Sequence, residues 1–140
     1  MGGLIINEAV LDFGGQYAHL IANRIRRLGV YSEIRDASIS PKDLRFYKGV
    51  VLSGGPRSVY EKGAPTCDPG IFSLGIPVLG ICYGHQLMVH LLGGKVSTGA
   101  TREYGRAKLT ISRNAGPLKF LGDEQTVWMS HGDTVTQLPN

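Results

Sequence analysis

The sequence predicts an α/β fold, in which a mostly parallel sheet is flanked by helices and followed by an antiparallel extension. Short apolar runs without polar alternation are typical of strands that are buried on both faces. Segments with helical spacing separate these runs, and this alternation indicates parallel strands joined by crossover helices. After Gly94 the pattern changes to strands separated by turns, which indicates antiparallel pairing.

Each element of the parallel part has its own local signal. Gly29 follows a helical run as a C-terminal cap, and Ser40-Pro41 combines a capping residue with proline at the first helical position. The predicted elements are, in order, a strand at 9–13, a helix at 17–28, a strand at 30–34, a short helix from 41 to about 47, a strand at 49–52, a short helix from 69, a strand at 76–81 and a helix at 85–92. Further strands are predicted at 95–97, 107–111 and 126–129.

Bulk composition excludes several classes of protein. A chain of 140 residues with 42% hydrophobic residues suggests one domain, spanning 1–140, with a real core. No apolar run approaches the roughly 20 residues of a membrane span, and the N-terminus lacks the features of a signal peptide. We therefore expect a cytoplasmic protein. The net charge of +4 comes from scattered residues without a basic patch, so no nucleic-acid partner is predicted.

The histidines and cysteines predict no metal site and no disulfide framework. The two cysteines, Cys67 and Cys82, are too few for such a framework, and the four histidines have no zinc-ligand spacing. No phosphate-binding loop occurs in the chain either. We therefore expect no metal and no cofactor on this chain.

The most informative stretch is Gly80-Ile81-Cys82-Tyr83-Gly84, which has the form of a nucleophile elbow with cysteine as the nucleophile. A sharp turn from strand to helix strains the backbone of the nucleophile, and its neighbours must lack side chains to allow close packing. The N-terminus of the following helix is expected to lower the pKa of Cys82. The alternative is a buried structural cysteine between two glycines. Cys67, in contrast, has no activating context.

The turn Ser53-Gly54-Gly55-Pro56 follows another predicted parallel strand. Consecutive glycines allow backbone N–H groups to point into open space, as an oxyanion site requires. Taken alone, the turn is more typical of an ordinary tight connection.

Five segments together resemble the class I glutamine amidotransferase domain of GMP synthetases. They occur in the expected order, and the resemblance runs from about residue 10 to the last residue: LDFGGQY at 11–17, LSGGP at 52–56, GICYGHQ at 80–86, REYG at 102–105 and WMSHGD at 128–133. The elbow is typical of class I amidotransferases in general. The first and last segments favour GMP synthetase within that class.

The resemblance implies a role for each matched residue. Cys82 would attack the side-chain amide of glutamine, with the oxyanion held by the backbone N–H groups of Gly55 and Tyr83. Gln86 and the loop at Ser130-His131 would line the glutamine pocket. Ammonia would pass to an ATP-pyrophosphatase domain or subunit, which uses ATP and Mg²⁺ to aminate XMP to GMP.

The sequence departs from the family in one respect. The family completes its catalytic triad with a His and a Glu two residues apart, and no H-x-E occurs in these 140 residues. We therefore expect either a C-terminally incomplete domain or a shortened relative. A catalytically silent module that binds a synthetase partner is the alternative function, although the retained elbow argues against it. A different class I amidotransferase is disfavoured, because the other signatures of that class are absent.

Overall fold

The computed structural model describes residues 7–140, except for the side chains of 99–103. Two short 3₁₀-helices lie at Pro69–Ser73 and Gly116–Leu118. The main elements are, in chain order, β1 (Glu8–Asp12), α1 (Tyr17–Arg27), β2 (Ser32–Asp36), α2 (Pro41–Leu44), β3 (Gly49–Leu52), β4 (Val78–Gly80), α3 (Tyr83–Leu91), β5 (Lys95–Thr110) and β6 (Glu124–Gln137). None of the described helices combines the length and apolar character that a membrane crossing needs.

The first four strands form one parallel sheet in the order β2-β1-β3-β4. Ala9 pairs with Glu33 on one side and with Val50 on the other, so β1 lies inside the sheet. Because all four strands run in the same direction, their carboxyl ends meet at a single edge of the sheet. The predicted parallel sheet is confirmed, and its C-terminal edge is where loops from β1, β3 and β4 come together.

The sheet separates two hydrophobic clusters, because successive residues of a strand point to opposite faces. Leu11 of β1 contributes to the larger cluster, together with residues of α2, the first 3₁₀-helix and α3. Val10 contributes to the smaller cluster, with Ala18 and Ala22 of α1 and Val51 of β3. Helices therefore cover both faces, as the uninterrupted apolar runs predicted.

Several predicted boundaries in this part were wrong by a few residues. The strand predicted at 76–81 is confined to Val78–Gly80, and the helix predicted from residue 85 begins at Tyr83. The strand predicted from Val30 begins at Ser32, because the N–H of Val30 still donates to Ile25 O in the C-terminal turn of α1. The helix predicted to run to about residue 47 ends at Leu44. Its start is as predicted, since the Ser40 hydroxyl accepts a hydrogen bond from Asp43 N.

β5 and β6 form a separate two-stranded antiparallel ribbon, which confirms the predicted extension. The ribbon is longer than the three short strands predicted for it. Thr98 pairs with Asp133 and Glu103 pairs with His131, so residues 99–102 stand opposite the single residue Gly132. This irregularity interrupts the alternation of polar and apolar residues along β5. For that reason two short strands were predicted where the structure has one long strand.

The first turn of α3 packs directly on the end of β3, and this contact leaves no room for a side chain at Gly84. A Cβ atom at Gly84 would lie 2.2 Å from the carbonyl oxygen of Leu52 and 2.6 Å from its Cβ. The Gly84 N–H donates to Ser53 O at 3.1 Å, which holds the two backbones together. The approach of α3 to the sheet therefore depends on glycine at this position.

We expect Gly84→Ala to destabilise the protein by about 1–3 kcal/mol through overpacking, although alanine is the better helix former. Gly122→Ala is the control, since its Cβ would approach nothing closer than 3.8 Å. Urea denaturation measures both free energies of unfolding. Equal stabilities of the two variants would contradict the close contact.

Candidate active site

Cys82 lies at the junction of β4 and α3, and its backbone is strained. Its φ of 51° and ψ of −115° make it the one non-glycine residue with positive φ in the described part of the chain. Such a conformation costs on the order of 1–3 kcal/mol and persists only where the surrounding structure enforces it. Residue 82 immediately precedes the first residue of α3 and is exposed. This is the geometry predicted for a nucleophile elbow.

The glycines that flank Cys82 make this turn possible. A Cβ at Gly80 would lie 2.6 Å from His85 Cα and 2.7 Å from His85 N, both of which are backbone atoms. Gly84 has the even closer contact with Leu52 described above. Both ends of the elbow are therefore packed backbone against backbone, and the glycine requirement inferred from the sequence has a direct steric cause.

The loop after β3 lies beside the cysteine. A Cβ at Gly54 would meet the Cβ of Cys82 at 3.5 Å. A Cβ at Gly55 would lie 2.8 Å from Phe13 O and 3.4 Å from Tyr83 Cγ. In the part of the chain that the structure describes, the backbone N–H groups of Gly55 and Tyr83 donate to no protein acceptor. One candidate oxyanion donor therefore lies in the loop after β3 and the other in the elbow itself.

Ser53 fixes this loop in place. It is fully buried, its N–H donates to Leu11 O at 3.2 Å, and its carbonyl accepts from Gly84 N. The loop after β3 is thus hydrogen-bonded to both the central strand and the elbow helix. Backbone hydrogen bonds therefore hold the loop after β3 and the start of α3 next to Cys82.

The electrostatics of the two cysteines differ from the prediction in one respect. Partial burial raises the pKa of Cys82, so the predicted lowering by the helix N-terminus is wrong in direction. For Cys67, burial first and the neighbouring Asp68 second raise the pKa to about 11. Cys67 is a core residue, which its sequence context did not indicate.

Gln86 connects the elbow helix to the ribbon. Its side chain is buried, and its Nε2 donates to the backbone oxygen of Asp133 at 3.0 Å. The bond joins residues 47 positions apart in the chain. Gln86 therefore has a structural role, which is to hold the ribbon against α3. The contact with glutamine that the resemblance implies for Gln86 stays a prediction.

Ser130 and His131 lie on β6 near the first turn of α3. Burial, and then the charge of His131, lower the pKa of His85 on α3, which places the two imidazoles close to each other. Successive strand residues point to opposite faces, so Ser130 and His131 do not face the same side. Ser130 is exposed and pairs with Tyr104, whereas His131 is half-buried. The histidine is the one directed towards the elbow helix.

Sequence reasoning missed three residues of this arrangement. Gly54 lies against Cys82, Phe13 packs on both Gly55 and Tyr83, and Asp133 accepts the hydrogen bond from Gln86. Phe13 and Asp133 belong to the motifs that carry the resemblance, but nothing in their spacing indicates these contacts. Among the side chains that the structure describes, no three of His, Cys, Asp or Glu cluster as metal ligands.

The family model described as glutamine amidotransferase class-I matches residues 9–140. Among curated relatives, the GMP synthase (glutamine-hydrolyzing) of Staphylococcus epidermidis is 57% identical over 133 residues, which are 93% of this chain and 26% of that protein. The enzyme of the same name from Geobacillus kaustophilus is 54% identical over 132 residues, with 93% and 26% coverage. The chain thus spans about a quarter of the length of these relatives.

Solved structures agree with these matches. A Thermoplasma acidophilum protein, provisionally assigned as a subunit of GMP synthase, superposes with a TM-score of 0.85 at 30% identity, over 99% of this chain and 71% of that one. A glutamine amidotransferase from Thermotoga maritima shares the fold, with a TM-score of 0.73 at 24% identity, over 98% and 64%. The elbow cysteine, the parallel sheet behind it and the match over residues 9–140 lead to one conclusion: the chain belongs to the class I glutamine amidotransferase family and is similar to the amidotransferase part of GMP synthases.

Proposed function

We propose that this chain is the glutaminase part of a GMP synthase and that Cys82 is its nucleophile. The observation that carries the proposal is the strained backbone of Cys82 at the end of β4, directly beside Gly54. A structural cysteine has no need of a positive φ, since a side chain that only packs does so from an ordinary backbone conformation. Strain of this kind is typical of residues that must present a reactive atom.

In the proposed reaction, the Cys82 thiolate attacks the side-chain amide carbon of glutamine. The C–S bond forms while the carbonyl oxygen takes up negative charge, which the N–H groups of Gly55 and Tyr83 stabilise. The C–N bond then breaks, and the leaving nitrogen takes a proton and departs as ammonia. Water hydrolyses the remaining glutamyl thioester to glutamate and restores the thiol.

The glutamine pocket in this proposal lies between α3 and the ribbon. Gln86, Ser130 and His131 would contact the substrate from this side. The hydrogen bond from Gln86 to Asp133 O supports it, because this bond holds the segment that contains His131 against the elbow helix. Since Ser130 and His131 alternate along β6, we expect His131 to contribute its side chain and Ser130 its backbone.

The ammonia would be used by a synthetase domain or subunit that activates XMP with ATP and Mg²⁺ and aminates it to GMP. The curated relatives are named as GMP synthases, which supports such a partner. These relatives are about four times as long as this chain. The chain itself would carry no cofactor. A cytoplasmic location, with neither a nucleic acid nor a membrane as partner, completes the proposal.

A catalytically silent module is the second candidate function. The specific observation in its favour is the raised pKa of Cys82, together with the absence of an H-x-E pair from the 140 residues. Such a module would keep the fold to bind a synthetase partner. It would copurify with that partner without any glutaminase activity.

Cys82 is expected to be alkylated faster than Cys67 at pH 8. Cys82 is exposed, whereas Cys67 is buried and its pKa is about 11. Because burial raises the pKa of Cys82 too, its alkylation rate should still increase with pH at about pH 9. Peptide mapping after limited iodoacetamide treatment measures both rates. Preferential labelling of Cys67 would exclude Cys82 as the reactive thiol.

Gly55→Val should abolish glutaminase turnover in the protein that contains the complete amidotransferase domain. The added Cβ would collide with Phe13 O, which turns the Gly55 N–H away from the oxyanion. Loss of one such donor costs about 3–4 kcal/mol of transition-state stabilisation. Circular dichroism checks that the variant folds. Near-normal turnover in a folded Gly55→Val protein would remove Gly55 from the oxyanion site.

The 140-residue chain alone should hydrolyse glutamine at least about 10²-fold more slowly than a complete amidotransferase. These 140 residues contain no H-x-E pair, and the positioned acid–base catalysis that such a pair provides accelerates a reaction by about that factor or more. Ammonia release is the measurement, and Cys82→Ala is the control. Fast turnover that Cys82→Ala abolishes would show that another base suffices. His131→Ala is then the next variant to test, because His131 lies beside the elbow helix.

A further inference from the structure

Tyr83 has a second connection to the site besides its backbone N–H. Its side chain is among the largest fully buried ones in the described chain, and its ring lies 5.6 Å from that of Phe13, tilted by 48°. The hydroxyl donates a hydrogen bond to the carbonyl oxygen of Pro65. The ring is therefore held at both ends, by an aromatic neighbour and by a hydrogen bond.

The same ring packs on the backbone of Gly55. The position of a Cβ at Gly55 is 3.4 Å from Tyr83 Cγ and 3.4 Å from Phe13 Cβ. Gly55 is thus enclosed by the two aromatic residues. In the function proposed above, on which this inference rests, Gly55 and Tyr83 supply the two oxyanion donors. The Tyr83 side chain therefore links the residue that carries one donor to the residue that carries the other.

We propose that the Tyr83 side chain is a positioning residue that sets the relative placement of the two oxyanion donors. Its Cα belongs to the residue that carries one donor, and its ring supports the residue that carries the other. A ring of fixed orientation then fixes the spacing between the two N–H groups. Such preorganisation matters, because an oxyanion site stabilises charge only when its donors are in place beforehand.

The hydrogen bond to Pro65 strengthens this coupling. The segment that leaves Gly55 returns to the core at Cys67, and Tyr83 donates to Pro65 O near the end of that segment. The bond holds the phenol ring in the plane from which it supports Gly55. Loss of the hydroxyl alone should therefore loosen the ring without removing it.

Tyr60 supplies a matched control for this bond. Its hydroxyl also donates to a backbone carbonyl, that of Val96, at 2.7 Å, and in addition accepts a longer bond of 3.4 Å from Val96 N. Its ring, however, packs edge-on against His90, with ring centroids 5.3 Å apart, and not against Phe13. Tyr60→Phe thus removes a donated bond of the same type as Tyr83→Phe, and one accepted bond besides, at a place that does not support the oxyanion donors.

The test compares two alkylating reagents on the 140-residue chain. One is the chloromethyl ketone analogue of glutamine, in which CH₂Cl replaces the amide NH₂, so that its carbonyl oxygen occupies the oxyanion site. The Cys82 sulfur bonds to the chloromethyl carbon, chloride leaves with the electron pair of the C–Cl bond, and the thiol proton passes to buffer. The other reagent is iodoacetamide, which reports on the thiol alone. The ratio of the two rates isolates the contribution of the oxyanion site.

We expect this ratio to fall about tenfold in Tyr83→Leu, which removes the ring, because a displaced donor loses part of its effect. A fall of about threefold is expected in Tyr83→Phe, which removes only the hydroxyl bond, while Tyr60→Phe stays at the wild-type ratio. The iodoacetamide rate is measured for every variant, so that a change in the thiol itself cancels in the ratio.

A folded Tyr83→Leu protein with the wild-type ratio would overturn the inference. Should Tyr83→Leu fail to fold, the comparison of Tyr83→Phe with Tyr60→Phe decides, and equal ratios there would overturn it as well. A wild-type chain that shows no preference for the chloromethyl ketone would contradict the proposed oxyanion site itself. That outcome is distinct from a wild-type preference that the variants retain.

Discussion

The close approach of α3 to the end of β3 is the constraint on which the rest of the site depends. Gly84 lies so near Leu52 that no Cβ fits, and its N–H bonds to Ser53 O. This contact fixes where the helix begins, and the strained turn at Cys82 follows from it. The loop that carries Gly54 is bonded to the same helix end, so the cysteine and its neighbours form one rigid corner of the sheet.

The packing at this corner determines where the Cys82 sulfur lies, but it does not promote ionisation of the thiol. The backbone presents the Cys82 sulfur at the open edge of the sheet, next to N–H groups that bond to no other part of the described chain. Partial burial raises the pKa of the Cys82 thiol above its ordinary value. The packing that positions the sulfur therefore does not favour its thiolate form.

Much of the fold is predictable because its signals are local. The capping serine at position 40, the glycine that follows α1 and the apolar strand runs each act over a few residues. The wide irregularity opposite Gly132 is not local, because it depends on how β5 meets β6. The ribbon lengths were therefore misjudged, although the antiparallel pairing was predicted.

The candidate site likewise has features that local sequence predicts and features that depend on the folded chain. The elbow and its glycines follow from the residues on either side of Cys82, whose spacing has a steric meaning. The bond from Gln86 to Asp133 O joins positions that only the folded chain brings together. The direction of the Cys82 pKa shift is equally non-local, since desolvation depends on every element packed around the sulfur.

The packing of Phe13, Gly55 and Tyr83 has a consequence for how such a sequence can evolve. A Cβ at position 55 would lie 2.8 Å from the backbone oxygen of Phe13, and no change of side chain at position 13 or 83 relieves that contact. Position 55 is therefore restricted to glycine, whereas the rings at positions 13 and 83 share one packing contact. Relatives that differ here should keep the glycine and differ at positions 13 and 83 as a pair.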